Sequence, residues 1–224
     1  MDSLVRPFYE VPGKVISLKK DAYLFSEGDD ARYFYFVRSG QICVMKSVSS
    51  GRVLSLRLVK QSGILGELPL YQKNPVYIFD AIAKTDSEVY AIEYPVLEQF
   101  LEKKPQLAIH LMQILSEHMR KQHSKFRDLV LYGKKGALYS TLIRLANSYG
   151  KAQEGGILIP VMFTNQDLAN YSATARESLN RMLSELRRDG IIEYRGHLIF
   201  IRNLDFLRQE INCENCGKAI CNIE

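Results

Sequence analysis

The sequence predicts an α+β protein: a β-rich first half, one long helix, and a small second domain of short helices and a hairpin. Three observations carry this. Between Lys14 and Tyr94, turn signals break up runs of β-branched and aromatic residues about every ten positions. After Pro105, apolar residues fall on alternating steps of four and three. From Phe163 to Ile192, two helical patterns follow each other with almost no linker.

Composition sets the frame. With 224 residues, 46% hydrophobic and 25% charged, the chain has the balance of a globular protein and enough length for two domains of about 100 residues each. No run of about 18 apolar residues is present, so no membrane span is expected. The start of the chain, with Asp2 and Arg6 in a mixed stretch, lacks a signal-peptide pattern, and a cytoplasmic protein is expected. A net charge of +5 permits contact with nucleic acid but equally suits many soluble enzymes. Of the four cysteines, Cys43 stands alone, while Cys213, Cys216 and Cys221 crowd the C-terminus. In a reducing compartment such a cluster points to a metal or to redox chemistry rather than to disulfides.

In the first half the turn signals are Ser26–Asp30, Ser39-Gly40, Ser49–Gly51, Ser62-Gly63 and Asn74-Pro75, the rhythm of a compact antiparallel barrel or roll. Pro95 suits the first turn of a short helix through Phe100. The long helix that follows carries Ala108, Met112, Leu115, Met119, Phe126 and Leu129, with Gln122 the one polar position, on a seam that repeats every 3.5 residues on average. Such a seam suits a helix that pairs with a second copy. The alternative is an amphipathic helix packed on its own β domain. Its length and its place between two domains favour the homodimer. Gly133-Lys-Lys-Gly136 offers a hinge. Ala137–Tyr149 reads as a helix, Gly150–Gly156 as a polar loop and Ile157–Val161 as a strand, and Ile191–Tyr194 with Leu198–Ile201 forms a hairpin around Arg195-Gly196. The expected divisions are 1–104, 105–133, 134–205 and 206–224.

Within the second domain, Thr164 suits the N-cap of a helix beginning at Asn165, with Asp167 in its first turn. Tyr171-Ser172-Ala173 interrupts it, and Thr174-Ala-Arg-Glu177 has capping-box spacing for the next helix, which Gly190 ends. Leu179, Met182, Leu183 and Leu186 share an apolar face, and the pair reads as a winged helix-turn-helix. The opposite face carries Arg176, Glu177, Asn180, Arg181, Ser184, Arg187 and Arg188. Arginine can bind guanine bidentately and glutamate can accept from cytosine, so Arg176, Glu177, Asn180 and Arg181 suit base edges. Ser172, Thr174, Ser184, Arg187 and Arg188 suit phosphates. A solvated helix face, with Glu177 paired to Arg181, would look similar.

The tail cysteines have Cx2Cx4C spacing. Structural zinc and a 4Fe–4S cluster both normally take four protein ligands, so the tail alone is one short for either, and the spacing leaves both open. Cys43, in the apolar run Ile42-Cys-Val-Met45, is assigned to the core. No catalytic constellation emerges: His110, His118 and His123 lack an i,i+4 pair, and no enzymatic activity is expected.

The order of β domain, seam helix and winged helix-turn-helix resembles the Crp/Fnr family of bacterial transcription regulators. Gly66-Glu67-Leu68 is similar to that family's β-roll motif, and Arg176-Glu177 with Arg181 to the recognition helices that read TGTGA-type half-sites. The block from Asp128 through Gly133-Lys-Lys-Gly-Ala-Leu-Tyr-Ser-Thr-Leu142 and the Cys-Glu-Asn-Cys…Cys tail resemble the Fnr regulators of Bacillus and its relatives. The resemblance implies an N-terminal double-stranded β-roll (cyclic-nucleotide-binding-like), a long dimerisation helix and a C-terminal winged helix-turn-helix. It implies a homodimer on palindromic double-stranded promoter DNA, working with RNA polymerase. It further implies an oxygen-responsive 4Fe–4S cluster held by Cys213, Cys216, Cys221 and Asp128, a residue that would otherwise read as an exposed acid beside Arg127. Val76 and Tyr77 stand where cyclic-nucleotide-binding relatives place the phosphate-binding arginine and its hydroxyl neighbour, so no cyclic nucleotide is expected. The alternative within the family is a small ligand in the roll with zinc at the tail.

Overall fold

The structure, a computed structural model, describes residues 3–67, 69–70 and 72–223. Leu68 of the Gly66-Glu67-Leu68 motif therefore lies outside the described residues. The chain forms two compact units, one of residues up to Val48 with Ser55–Glu117, the other of Ser49–Leu54 with His118–Ile223.

The first unit is the expected roll. Strands β1 (Lys14–Leu18), β2 (Tyr23–Phe25), β3 (Tyr33–Ser39), β4 (Ile42–Ser47), β5 (Val53–Val59), β6 (Ile64–Leu65), β7 (Asp80–Ala83) and β8 (Ser87–Glu93) form two sheets, ordered β1-β8-β3-β6 and β2-β7-β4-β5. Tyr35 of β3 faces the second sheet and stacks on Phe25 of β2 at 5.7 Å, while on the opposite face of β3 Phe36 stacks on Phe8 at 4.9 Å and meets Phe34 edge-on at 5.2 Å. Such pairs add about 0.5–1.5 kcal/mol each beyond the area they bury. Cys43 is buried on β4, opposite Ile82 of β7, as its apolar run implied.

Tyr77 occupies the interior as well. Its ring stacks on Phe25 with centroids 3.9 Å apart, and its hydroxyl donates to the Tyr33 carbonyl at 2.8 Å. Glu67 accepts from the Ile78 amide at 3.1 Å, and its own carbonyl accepts from the Tyr94 hydroxyl. Burial raises the Glu67 pKa, against the pull of the Ile78 amide. One Glu67 oxygen thus serves the chain's own backbone, while the other is buried without a hydrogen-bond partner among the described residues.

Helix α1 (Tyr94–Lys103) is longer than the short helix expected from Pro95. Helix α2 (Pro105–Tyr149) carries non-helical dihedrals at Gly133, φ 60° and ψ −156°, so it consists of two helical pieces. An L side chain would be strained in that conformation, which is the physical reason glycine stands there. The roll contact and most of the seam use different faces of the helix, although Ala108 of the seam packs against the roll's core. Leu107, Leu111 and Ile114 join the roll's core. Met119 and Phe126 on the seam stay 60% and 67% exposed, and Met112, Leu115 and Val130 are exposed too.

The second unit contains the C-terminal part of α2, β9 (Lys151–Gln153), β10 (Gly156–Ile159), α3 (Asn165–Tyr171), α4 (Arg176–Arg188), β11 (Ile192–Arg195), β12 (Leu198–Ile201) and α5 (Leu204–Glu210). Its sheet runs β11-β12-β10-β9. The expected polar loop 150–156 is corrected: Lys151–Gln153 pairs with β10 across the Glu154-Gly155 turn. Helix α5 was not anticipated. The Asn203 side chain caps it by accepting from the Phe206 amide at 2.9 Å, and Leu207 is buried. The boundary drawn at residue 205 falls inside it.

An exposed apolar stripe of this spacing on a long helix suits pairing with a second copy of the chain. Phe126→Glu is expected to shift the protein from dimer toward monomer in analytical ultracentrifugation, with the circular dichroism of the fold retained.

Candidate functional site

The tight turn between α3 and α4 is closed by backbone bonds. The Ser172 amide donates to Leu168 at 3.0 Å and the Thr174 amide to Ala169 at 3.0 Å, while Ala173 takes a left-handed φ of 50°. This corrects the start of α4. Its N-cap is Ala175, with no side-chain cap, because the turn delays helix entry past Thr174. The capping box belongs to α3, where Thr164 and Asp167 satisfy each other's backbone amides. Leu179, Leu183 and Leu186 bury the inner face of α4, each contributing about 1.5–3 kcal/mol. The Ile191 amide donates to Leu186, and Gly190 at φ 71° ends the helix as expected.

The outer face divides into free and engaged groups. Arg176, Glu177, Asn180, Arg181, Ser184, Arg187 and Arg188 are all exposed. Glu177 forms no ion pair with Arg181 among the described residues, so the bland pairing is absent. Asn180 accepts from the Asn165 amide at 2.7 Å, Arg187 lies 5.4 Å from the Tyr194 ring centroid, and Arg188 pairs with Asp189. Two expected phosphate contacts are corrected. Ser172 is 0% exposed and faces Thr141, 3.5 Å between hydroxyl oxygens. The Thr174 hydroxyl is buried as well. Both sit on the inner side of the turn. In the wing, Arg195 lies 3.4 Å over the Phe200 ring and donates to Glu193 and Gln153, which stiffens the hairpin.

The tail is the second feature. Ile211, Ile220 and Ile223 are buried, and the segment is hydrogen-bonded to α2. Asn147 donates to the Cys221 carbonyl at 2.8 Å, and the Ile223 amide donates to the Ser148 hydroxyl at 3.0 Å. Cys213 and Cys216 are half-buried and Cys221 is buried. Burial pushes the Cys221 thiol pKa up; Arg144 opposes the rise, and Cys216 and Cys213 add to it.

Asp128 is not the exposed acid its sequence context suggested. It is 2% exposed. One carboxylate oxygen accepts from Arg127 at 2.6 and 3.0 Å, and the other accepts from Ser140 at 2.6 Å with Arg144 at 3.5 Å. Sequence reasoning missed Arg144, although a signal existed: it is the one charge within the apolar run Leu138–Ala146.

For a thiophilic metal centre, the donor chemistry fits. Three thiols lie near enough to influence one another, and Arg144 touches both the tail and the carboxylate of Asp128. Among the described residues no three His, Cys, Asp or Glu side chains stand together in a metal-holding arrangement.

A roll, a broken long helix and a winged helix-turn-helix with a free arginine–glutamate face define a DNA-binding regulator rather than an enzyme. The comparisons agree. Residues 15–104 match the Cyclic nucleotide-binding domain and residues 136–210 the Crp-like helix-turn-helix domain. The chain is 48% identical over 208 residues to the "Anaerobic regulatory protein" of Bacillus subtilis (strain 168), covering 92% of this chain and 87% of that one. In fold it resembles the global regulator CLP of Xanthomonas campestris (TM-score 0.77, 21% identity, 89% of this chain and 99% of that one). It likewise resembles FixK2 of Bradyrhizobium japonicum (TM-score 0.71, 21% identity, 92% and 99%). The chain belongs to the Crp/Fnr family of dimeric, DNA-binding transcription regulators. No helix among the described residues is long and apolar enough to cross a membrane.

A bidentate base contact is worth about 1–3 kcal/mol, so Arg181→Ala is expected to weaken binding to a specific site about 5- to 150-fold. Ser172→Ala, removing a buried hydroxyl, is expected to lower thermal stability and leave DNA affinity unchanged. Fluorescence anisotropy with labelled duplex, alongside thermal denaturation, reads both.

Proposed function

We propose that the protein is an oxygen-responsive, cytoplasmic transcription regulator that binds a palindromic TGTGA-type site as a dimer, engages RNA polymerase there and controls anaerobic genes. Cys213, Cys216 and Cys221, with Asp128 as fourth ligand, hold a 4Fe–4S cluster in this reading. When bound, the cluster supplies reactivity toward oxygen, and its retention or loss is the signal.

The observation that carries the reading is the docking of the cysteine tail on α2 at Asp128, close in sequence to the Gly133 break. Asp128 precedes the break, and Ser140, Arg144 and Asn147, which meet Asp128 or the tail, follow it. Holding the tail there biases how the second helical piece, and with it α4, is set relative to its counterpart in the dimer. Two recognition helices must meet major grooves about 34 Å apart, so a small change in that setting alters affinity. The bias is limited to the differential stability of the two arrangements. The 48% identity to the Bacillus subtilis anaerobic regulator supports the same reading. Tyr77 packed in the roll speaks against a nucleotide ligand there.

Protein purified without oxygen is expected to be coloured, to contain iron and acid-labile sulfide, and to bind a TGTGA-type palindrome. Brief exposure to air is expected to bleach it and weaken DNA binding. Colourless protein that carries zinc, or DNA binding unchanged by bleaching, overturns the reading.

A further inference from the structure

We propose that Asp128, Arg127 and Arg144 form a cation–anion–cation clamp that grips the cysteine segment at both ends and by itself holds it on α2. The clamp does not depend on the cluster reading, because every contact in it is made by the chain's own atoms.

Arg144 grips the far end. It is 2% exposed and its guanidinium reaches three separate stretches of chain. Nη1 donates to the carbonyls of Ile220 at 3.2 Å and Asn222 at 3.4 Å, on either side of Cys221. Nη2 donates to the Ser124 hydroxyl at 2.9 Å and lies 3.5 Å from the Asp128 carboxylate. Nε donates to Ser140 at 3.1 Å. Ser124 and Asp128 precede the Gly133 break, and Ser140 and Arg144 follow it. One planar fork therefore ties together both helical pieces and the tail, a task its fixed, five-donor geometry suits and a lysine would not match.

Arg127 grips the near end. Its guanidinium binds Asp128 on one side and Glu214 on the other, between Cys213 and Cys216. Asp128 is the shared anion of both grips. A buried guanidinium is costly to desolvate unless a counter-charge and acceptors surround it, so Arg144 and Asp128 require each other. The apolar contacts of Ile220 and Ile223 then seat the segment, and Cys221 is carried into the interior with them.

The clamp itself orders the segment, and it makes Asp128 a positioning residue independently of any ligation. Loss of a metal centre in an Asp128 variant therefore follows from the clamp alone, without ligation.

The test uses the full chain, reduced and treated with chelator, and follows the alkylation of each cysteine by iodoacetamide with mass spectrometry. In the unaltered protein Cys221 is expected to react far more slowly than Cys213 and Cys216, with Cys43 in the roll protected throughout. In Arg144→Met, Cys221 is expected to react about tenfold faster or more, since opening no longer breaks charged hydrogen bonds, while Cys43 stays protected. Arg144→Lys, which keeps the charge and loses the fork, is expected to speed Cys221 severalfold and covers the case in which Arg144→Met fails to fold. Cys221 protection unchanged in the variants, with Cys43 still protected, overturns the clamp. Because no metal is present, failure here is distinct from failure of the cluster reading.

Discussion

A buried ion pair anchors the C-terminal segment of this protein. Asp128 and Arg144 both sit out of reach of water, and their side chains meet where the two pieces of α2 and the C-terminal tail converge. Moving either charge into the interior alone would cost several kcal/mol, and the pair persists because serine hydroxyls, backbone carbonyls and Arg127 satisfy what remains. Everything proposed for the cysteines follows from that arrangement. The tail has a fixed seat, the seat lies close in chain to a glycine that only a residue without Cβ can occupy comfortably, and the helix beyond the glycine leads into the DNA-reading domain.

That layout separates stability from recognition. The inner face of α4 is leucine and buried, while on its outer face Arg176, Glu177 and Arg181 have no side-chain partner among the described residues. Groups not already paired are the ones able to meet base edges without first breaking an internal bond. Arg188, Arg195 and Arg202 are, by contrast, engaged with Asp189 or Glu193.

Most of the architecture was legible in the sequence because it rests on periodicity and turn chemistry. The roll showed in regularly spaced turn residues, the seam in steps of four and three, the α3 cap in Thr164 and Asp167, and the α4 stop in Gly190. The failures have local causes. Thr174 and Glu177 carry capping-box spacing, but the turn is closed through the Thr174 amide and buries its hydroxyl, so the helix begins later. Ser172 reads as a phosphate contact until tertiary packing turns it inward against Thr141. Lys151–Gln153 is polar because it forms an exposed edge strand, a case in which pattern cannot distinguish strand from loop. Asp128 looked like a surface acid because its partners lie 12 and 16 positions along, at Ser140 and Arg144, beyond any local pattern.

On this arrangement Asp128 and Arg144 stabilise the protein as a unit. A double-mutant cycle tests it directly: urea denaturation of the metal-free protein, of Asp128→Asn, of Arg144→Met and of the double variant. Residues sharing one buried network are expected to be coupled by about 2 kcal/mol, with the double variant far less destabilised than the sum of the singles. Strictly additive losses would show that the two side chains act independently and would contradict the account.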